Sequence, residues 1–169
     1  MHLAAGSVAK RYNLQKERVN SMWEHPYHCT IIQDGKHLLN CLRYVDLNMV
    51  RAGVVSHPRE WVQCGYDELV GRRQRYRLLQ VEDLASRTGF GSVKEFQEFY
   101  SESIEARLAA NAGSRESHWT ESLAVGDREF VQGLTSEYSR RLKFVTAQAP
   151  GNTWHIREEH AAYGAENTP

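Results

Sequence analysis

The stretch between residues 35 and 52 constrains the fold of this 169-residue chain most strongly. Asp34 can cap the start of a helix there, and Gly53 is a natural residue just past its end. At 100° per residue the apolar side chains fall within one arc of about 100°, which we expect to be buried. They are Leu38, Cys41, Leu42, Val45, Met49 and Ala52. The polar side chains, expected to face solvent, are His37, Asn40, Tyr44, Asn48 and Arg51.

The polar face of this helix has a possible chemical use. Tyr44 and Asn48 are four residues apart and therefore neighbours, and Arg51 lies beside them. A tyrosine hydroxyl can attack a phosphodiester, an amide oxygen can bind Mg²⁺ or Mn²⁺, and a guanidinium can hold a phosphate oxygen. The same residues are also compatible with a packing tyrosine, a surface asparagine and an arginine in an ion pair.

The rest of the chain alternates between short elements. Residues 23–32 are aromatic and β-branched, which favours a strand after Pro26. Helices are predicted over residues 81–88, 93–109 and 127–142, with Asp127 as the cap of the last. The sequence therefore predicts an α+β fold.

The formal net charge of zero conceals an uneven distribution. Residues 1–77 carry 12 Lys and Arg against 7 Asp and Glu, whereas residues 78–169 carry 9 against 14. Four arginines cluster at the junction: Arg72, Arg73, Arg75 and Arg77. The basic half is a candidate phosphate-binding surface, or alternatively a charged face that docks onto the acidic half.

Several classes of protein do not fit this sequence. It has no apolar run of about 18 residues, so we expect no membrane partner. The first six residues do not resemble a signal peptide. The three cysteines form no CxxC pair, which argues against structural zinc and disulfides and favours a cytoplasmic protein.

Residues 39–55, Leu-Asn-Cys-Leu-Arg-Tyr-Val-Asp-Leu-Asn-Met-Val-Arg-Ala-Gly-Val-Val, resemble the signature of the REP-associated tyrosine transposases. This family belongs to the single-tyrosine HUH superfamily, and Met49 stands where it usually has proline. Residues 20–23 and 58–66 are also similar to the family, so the resemblance covers about residues 1–70. Residues 119–126 are similar to the extension of its longer members.

The resemblance implies a fold and a division of the chain. Residues 1–77 would be the C-terminal part of a ferredoxin-like catalytic domain, with the tyrosine helix at about 35–52. Residues 78–148 would be a mostly helical extension, and residues 149–169 a loosely ordered tail.

The resemblance also implies an activity. Tyr44 would be the nucleophile that cleaves and rejoins single-stranded or hairpin DNA, and Asn48 an accessory ligand for Mg²⁺ or Mn²⁺. Arg51 and the four junction arginines are candidate DNA contacts. The location would be the cytoplasm of a bacterial cell, at the nucleoid.

One part of the family's pattern is missing. The family holds its metal with a His-x-His pair, and no two of the eight histidines here are separated by a single residue. His25 and His28 bracket Pro26-Tyr27, so they cannot point to one face of a strand. We therefore expect no stable metal binding and impaired cleavage. The chain looks like a transposase without its first strands, whose exposed sheet edge would favour a homo-oligomer.

Two further hypotheses remain open. Residues 81–105 resemble a helix-turn-helix, which would make the protein a DNA-binding regulator without catalysis, although the second helix is rich in glutamate. Alternatively, the protein is a scaffold that retains the tyrosine helix without using it. A scaffold would show no dependence of DNA affinity on salt.

Overall fold

The computed structural model describes residues 2–19, 22, 29–73, 75–110, 115–138 and 144–158, which form a mixed α+β fold. The helices of this part are α1 (His2–Gln15), α2 (Lys36–Asp46), α3 (Asn48–Arg51), α4 (Tyr66–Leu69), α5 (Val81–Arg87), α6 (Val93–Ala109), α7 (His118–Glu121) and α8 (Arg128–Tyr138). A 3₁₀ turn spans Pro58–Glu60. Across these ranges, we find no helix with the length and apolarity that a bilayer crossing requires.

In the part of the chain that the structure describes, four strands form one mixed sheet: β1 (Ile31–Ile32), β2 (Ala124–Gly126), β3 (Phe144–Ala149) and β4 (Thr153–Glu158). Their order is β1-β2-β4-β3, with β1 parallel to β2 and the other neighbours antiparallel. Ala124 and Ile156 are register partners and pack with Val131 of α8 on one face. Val125 packs on the other face with Tyr44 and Trp119. The short strand β2 is therefore covered on both sides.

Gly126 allows α8 to approach the end of β2. A Cβ atom at this position would lie 2.3 Å from the Phe130 ring and 2.7 Å from the side chain of Gln33. Asp127 then caps α8, since its Oδ1 accepts a hydrogen bond from the Phe130 N–H at 2.8 Å. The predicted cap is confirmed, and residues 139–142 of the predicted helix lie outside the described residues.

The predicted helix at 35–52 is present with one local change at Leu47, between α2 and α3. The N–H groups of Leu47 and Arg51 still donate four residues back, at 3.0 and 2.9 Å. Gly53 ends the helix with φ of 68°, as predicted. The prediction that Asp34 caps its start is wrong. Gly35 occupies that position, and the Asp34 carboxylate contacts Arg87 at 3.3 Å instead.

The predicted single buried stripe of this helix is also wrong. Val45 is 58% exposed and Ala52 is exposed, whereas Tyr44 is 6% exposed. The reason is that α2 packs on two sides, about 160° apart at 100° per residue. Leu39 and Leu42 join the cluster formed with α4, α5 and α6, and Cys41 and Tyr44 join the cluster against the sheet.

The sheet also differs from the predicted division of the chain. It joins β1, from the predicted domain 1–77, to β2, β4 and β3 from beyond it. The stretch predicted as a mostly helical extension contains β2 and most of β3. Where we expected a loosely ordered tail from residue 149, β4 pairs on both sides and Ile156 is 3% exposed. The predicted strand at 23–32 is described at its end as β1, and residues 23–28 lie outside the described residues.

Candidate functional site

Tyr44 lies where α2 meets the sheet. Its ring packs with Trp119 of α7 and Val125 of β2. The centres of the Tyr44 and Trp119 rings are 6.3 Å apart and their planes are inclined at 37°. Aromatic pairs at this separation are stabilising, so the packing orients the tyrosine. The ring is largely buried, contrary to the expectation that the polar face of the helix meets solvent.

Arg51 covers the Tyr44 ring from α3. The Cζ atom of Arg51 lies 3.9 Å from the ring centre, a close cation–π contact. Its Nη2 donates to the Tyr44 carbonyl oxygen at 2.8 Å and to Asn48 Oδ1 at 3.2 Å. The structure therefore brings together the three residues that the sequence singled out on this helix.

A cavity of about 370 Å³ opens beside these residues, and we call it the Tyr44 cavity. Its lining consists of Tyr44, Asn48, Arg51, Ala52, Arg115 and Thr120. The last two residues come from the segment around α7, far along the chain, and the sequence analysis did not predict either. Thr120 lies within the stretch that resembles the transposase extension, but nothing in the sequence pattern marks Arg115.

The charge of the Tyr44 cavity is positive. Among the lining residues that the structure describes, two are arginines and none is acidic. The Arg115 side chain is 71% exposed and contacts Glu121 at 2.9 Å. The same glutamate lies 3.5 Å from Arg157 Nη2, so it is shared between two guanidinium groups. A cavity with this lining attracts an anion.

The Tyr44 cavity does not fit a divalent metal ion. Asn48 Oδ1, the oxygen that the resemblance assigns to the metal, accepts a hydrogen bond from Arg51 at 3.2 Å. A dication there would face two guanidinium groups, and no carboxylate or imidazole belongs to the described lining. In the described part of the chain, no three His, Cys, Asp or Glu residues are placed to bind a metal. His25 and His28 lie outside the described residues.

The junction arginines are not part of this lining. Arg72 contacts Asp67 at 3.6 Å, and Arg73 donates to the Val62 carbonyl oxygen at 2.8 Å. Arg75 and Arg77 are exposed. Arg72 borders a separate cavity of about 530 Å³, whose charged lining residues are Arg59, Arg72, Lys94, Glu98 and Glu102. The charge of that second cavity is mixed.

The predicted helical pair at 81–105 is present as α5 and α6. Gly89 has φ of 88° in the turn, and the Ser92 hydroxyl accepts from the Glu95 N–H at 3.2 Å. The buried face of α6 consists of Phe96, Tyr100 and Ile104. Four exposed glutamates lie on the rest of its surface: Glu95, Glu98, Glu102 and Glu105.

The basic residues of this helical pair are engaged in ion pairs. Arg87 contacts Asp83 at 2.8 Å, and Lys94 contacts Glu98 at 3.8 Å. An acidic exposed surface on the second helix repels phosphate groups, which makes α6 a poor match for the major groove.

The chain was compared with protein-family models, with curated proteins and with solved structures, and none of them matches it.

Proposed function

We propose that the protein binds a single DNA strand at the Tyr44 cavity and that Tyr44 is the nucleophile of a transposase-type strand cleavage. The observation that carries the proposal is the position of this tyrosine in a cavity flanked by Arg51 and Arg115, whose described lining includes no acidic residue. The same proposal includes the fold that the resemblance implies, namely a remnant of a ferredoxin-like transposase domain.

The reaction exchanges one phosphodiester for another. The Tyr44 phenol oxygen attacks phosphorus, and the bond from phosphorus to one sugar oxygen breaks. The phenol proton passes through solvent to the sugar oxygen that leaves. Rejoining is the reverse step, in which a strand hydroxyl displaces the tyrosine. The exchange needs no oxidant or external energy source, because each bond broken is replaced by one of the same type.

Two guanidinium groups are suited to this chemistry. They hold the non-bridging phosphate oxygens and offset the charge that develops on phosphorus. Arg51 lies across the Tyr44 ring in the free protein. Productive attack therefore requires the Arg51 guanidinium to bind the phosphate from its position beside the nucleophile. Since the sequence has no His-x-His pair to hold an activating metal ion, we expect the covalent step to be slow.

A covalent adduct tests the proposal directly. The protein is incubated with a fluorescent hairpin-bearing single strand, in EDTA and in Mn²⁺, and resolved on a denaturing gel. We expect a shifted band that disappears in Tyr44→Phe. Tyr76→Phe is the matched control, because Tyr76 is 92% exposed and reports nonspecific labelling. Absence of the band under both conditions after long incubation would exclude a nucleophilic role for Tyr44.

The helical pair α5–α6 remains the second candidate for DNA binding, since its turn and cap match the predicted motif. Charge reversal at Arg87 and Lys94 weakens DNA binding if this pair is the interface, whereas Arg51→Glu weakens it if the Tyr44 cavity is. In either case the affinity falls with rising salt. An affinity that does not change with salt supports the scaffold hypothesis instead.

A further inference from the structure

We infer that the Tyr44 cavity is an anion site in which Arg115 acts together with Arg51 on a single phosphate group, in the place that the resemblance assigns to a divalent metal ion. That the phosphate belongs to a DNA strand rests on the proposed function. The anion site itself does not.

The two arginines reach the cavity from separate elements. Arg51 belongs to α3, and Arg115 precedes α7, which packs against the sheet through Trp119. Because α2 packs against the same part of the sheet, the fold fixes the spacing of the two elements. A phosphate group held by both arginines would therefore contact both halves of the chain.

The hydrogen-bonding capacity of Arg51 is only partly used. Both of its hydrogen bonds to described residues involve Nη2, with the Tyr44 carbonyl and the Asn48 side chain as acceptors. Within the described ranges, Nε and Nη1 have no acceptor. A guanidinium group carries five N–H donors in a planar fork that matches two oxygens of a phosphate. Arg51 can bind a phosphate oxygen without giving up its contact with Asn48.

Arg115 is held beside the cavity by Glu121 at 2.9 Å. Because this ion pair is exposed, it contributes little to stability, and an anion in the cavity competes with Glu121 for the guanidinium. The cavity of about 370 Å³ is within the range of small-ligand sites, roughly 300–1,000 Å³. The volume accommodates a phosphate group with an attached sugar.

The experiment separates anion binding from covalent chemistry by using a Tyr44→Phe background. Inorganic phosphate, and then a short oligothymidine, are titrated in EDTA while the Trp119 indole N–H resonance is followed by NMR. We expect both probes to bind without metal. Arg115→Ala should weaken phosphate binding at least tenfold, and Arg115→Lys should recover part of that loss.

Arg128→Ala is the matched control for the loss of one positive charge. Arg128 is exposed and lies over Trp154, with Cζ 5.4 Å from the ring centre, on a different part of the molecule. We expect its phosphate affinity to equal that of the parent. Thermal melts of all variants check that the fold is retained.

The possible outcomes distinguish the two proposals. Equal phosphate affinity in Arg115→Ala and Arg128→Ala overturns the anion site, and so does binding that EDTA abolishes. Loss of phosphate binding in Arg115→Ala supports the anion site even if no covalent adduct forms with the unaltered protein. Formation of the adduct at an unchanged rate in Arg115→Ala supports the nucleophile and contradicts the role of Arg115.

Discussion

The imidazole of His37 lies buried in the first turn of α2. The side chain is 2% exposed, and neither ring nitrogen has a partner among the described residues. Burial is the main cause that lowers its pKa, and the charge of Lys36 adds to the effect. Folded His37 takes up its proton at a lower pH than the unfolded chain, which does so near pH 6.5. Its contribution to stability is therefore complete above about pH 6.5 and is lost as the pH falls through the folded pKa.

We therefore predict that His37→Leu raises the free energy of unfolding by about 1–3 kcal/mol, the usual cost of an unsatisfied buried polar group. The gain should be larger at pH 5.5 than at pH 7.5, measured by urea denaturation. The same substitution at His57 should destabilise, because His57 contacts Glu105 at 3.0 Å and accepts from the Arg59 N–H. Destabilisation by His37→Leu at both pH values would contradict the prediction.

Asp46 has the opposite dependence on pH. It is 3% exposed, and burial raises its pKa from 3.8 to about 6, against the lowering effect of hydrogen bonds from Tyr100 and Gly65. The folded state thus favours the protonated acid. Its contribution to stability is complete below pH 3.8 and is lost as the pH rises through about 6.

At 1.36 kcal/mol per pKa unit, the full shift of the Asp46 pKa amounts to about 3 kcal/mol, most of which falls between pH 4 and pH 7. Asp46→Asn should remove it, so that the variant gains stability relative to the parent at pH 7 and not at pH 4. Urea denaturation at the two pH values measures the difference. Asp83→Asn is the control, since Asp83 is half exposed. An identical pH dependence in Asp46→Asn and the parent would refute the assignment.

The helices α2 and α6 show what the sequence can and cannot predict at the scale of one element. The bounds of α6 were predicted because its cap and turn residues act locally. The existence of α2 was predicted from the periodicity of its apolar residues, which is also a property of neighbouring residues in the chain. The buried sides of α2 were not, because they depend on partners distant in the chain. Leu42 packs in the cluster that contains Phe96, and Cys41 packs in the cluster that contains Trp119, so the single apolar arc of the sequence is divided between two sides of the helix.

The cap of α6 gives a prediction at this scale. The Ser92 hydroxyl accepts the Glu95 N–H at 3.2 Å, so Ser92→Ala should lower the free energy of unfolding by about 1 kcal/mol. Chemical denaturation measures the change. Ser86→Ala, at an exposed position inside α5, should be neutral. If the two substitutions cost the same, the hydroxyl does not act as a cap.

The sheet determines how the whole molecule should unfold. Because β1 pairs with β2 and β2 with β4, the predicted boundary at residue 77 does not divide the sheet. Val125 is fully buried between Tyr44 and Trp119. Val125→Ala should cost about 2–3 kcal/mol, from two lost methyl groups and the cavity they leave.

We predict one transition in both the parent and Val125→Ala, with tryptophan fluorescence and far-UV circular dichroism changing together. Two separate transitions would show that the parts before and after residue 77 fold independently. Sequence alone could not predict that the parts before and after residue 77 share one sheet, since β2 has only three residues and acquires its strand conformation from its neighbours. The proximity of Arg51 and Arg115 could not be predicted from the sequence for the same reason, because the two residues become neighbours only through the sheet.

The two-sided packing of α2 links distant parts of the protein. An 11-residue helix is a stiff rod about 16 Å long. One side of α2 packs in the cluster that contains Phe96, and another side packs in the cluster that contains Trp119. A displacement of α2 relative to the sheet would therefore alter its packing on α6 and, through α3, the gap between the guanidinium groups of Arg51 and Arg115.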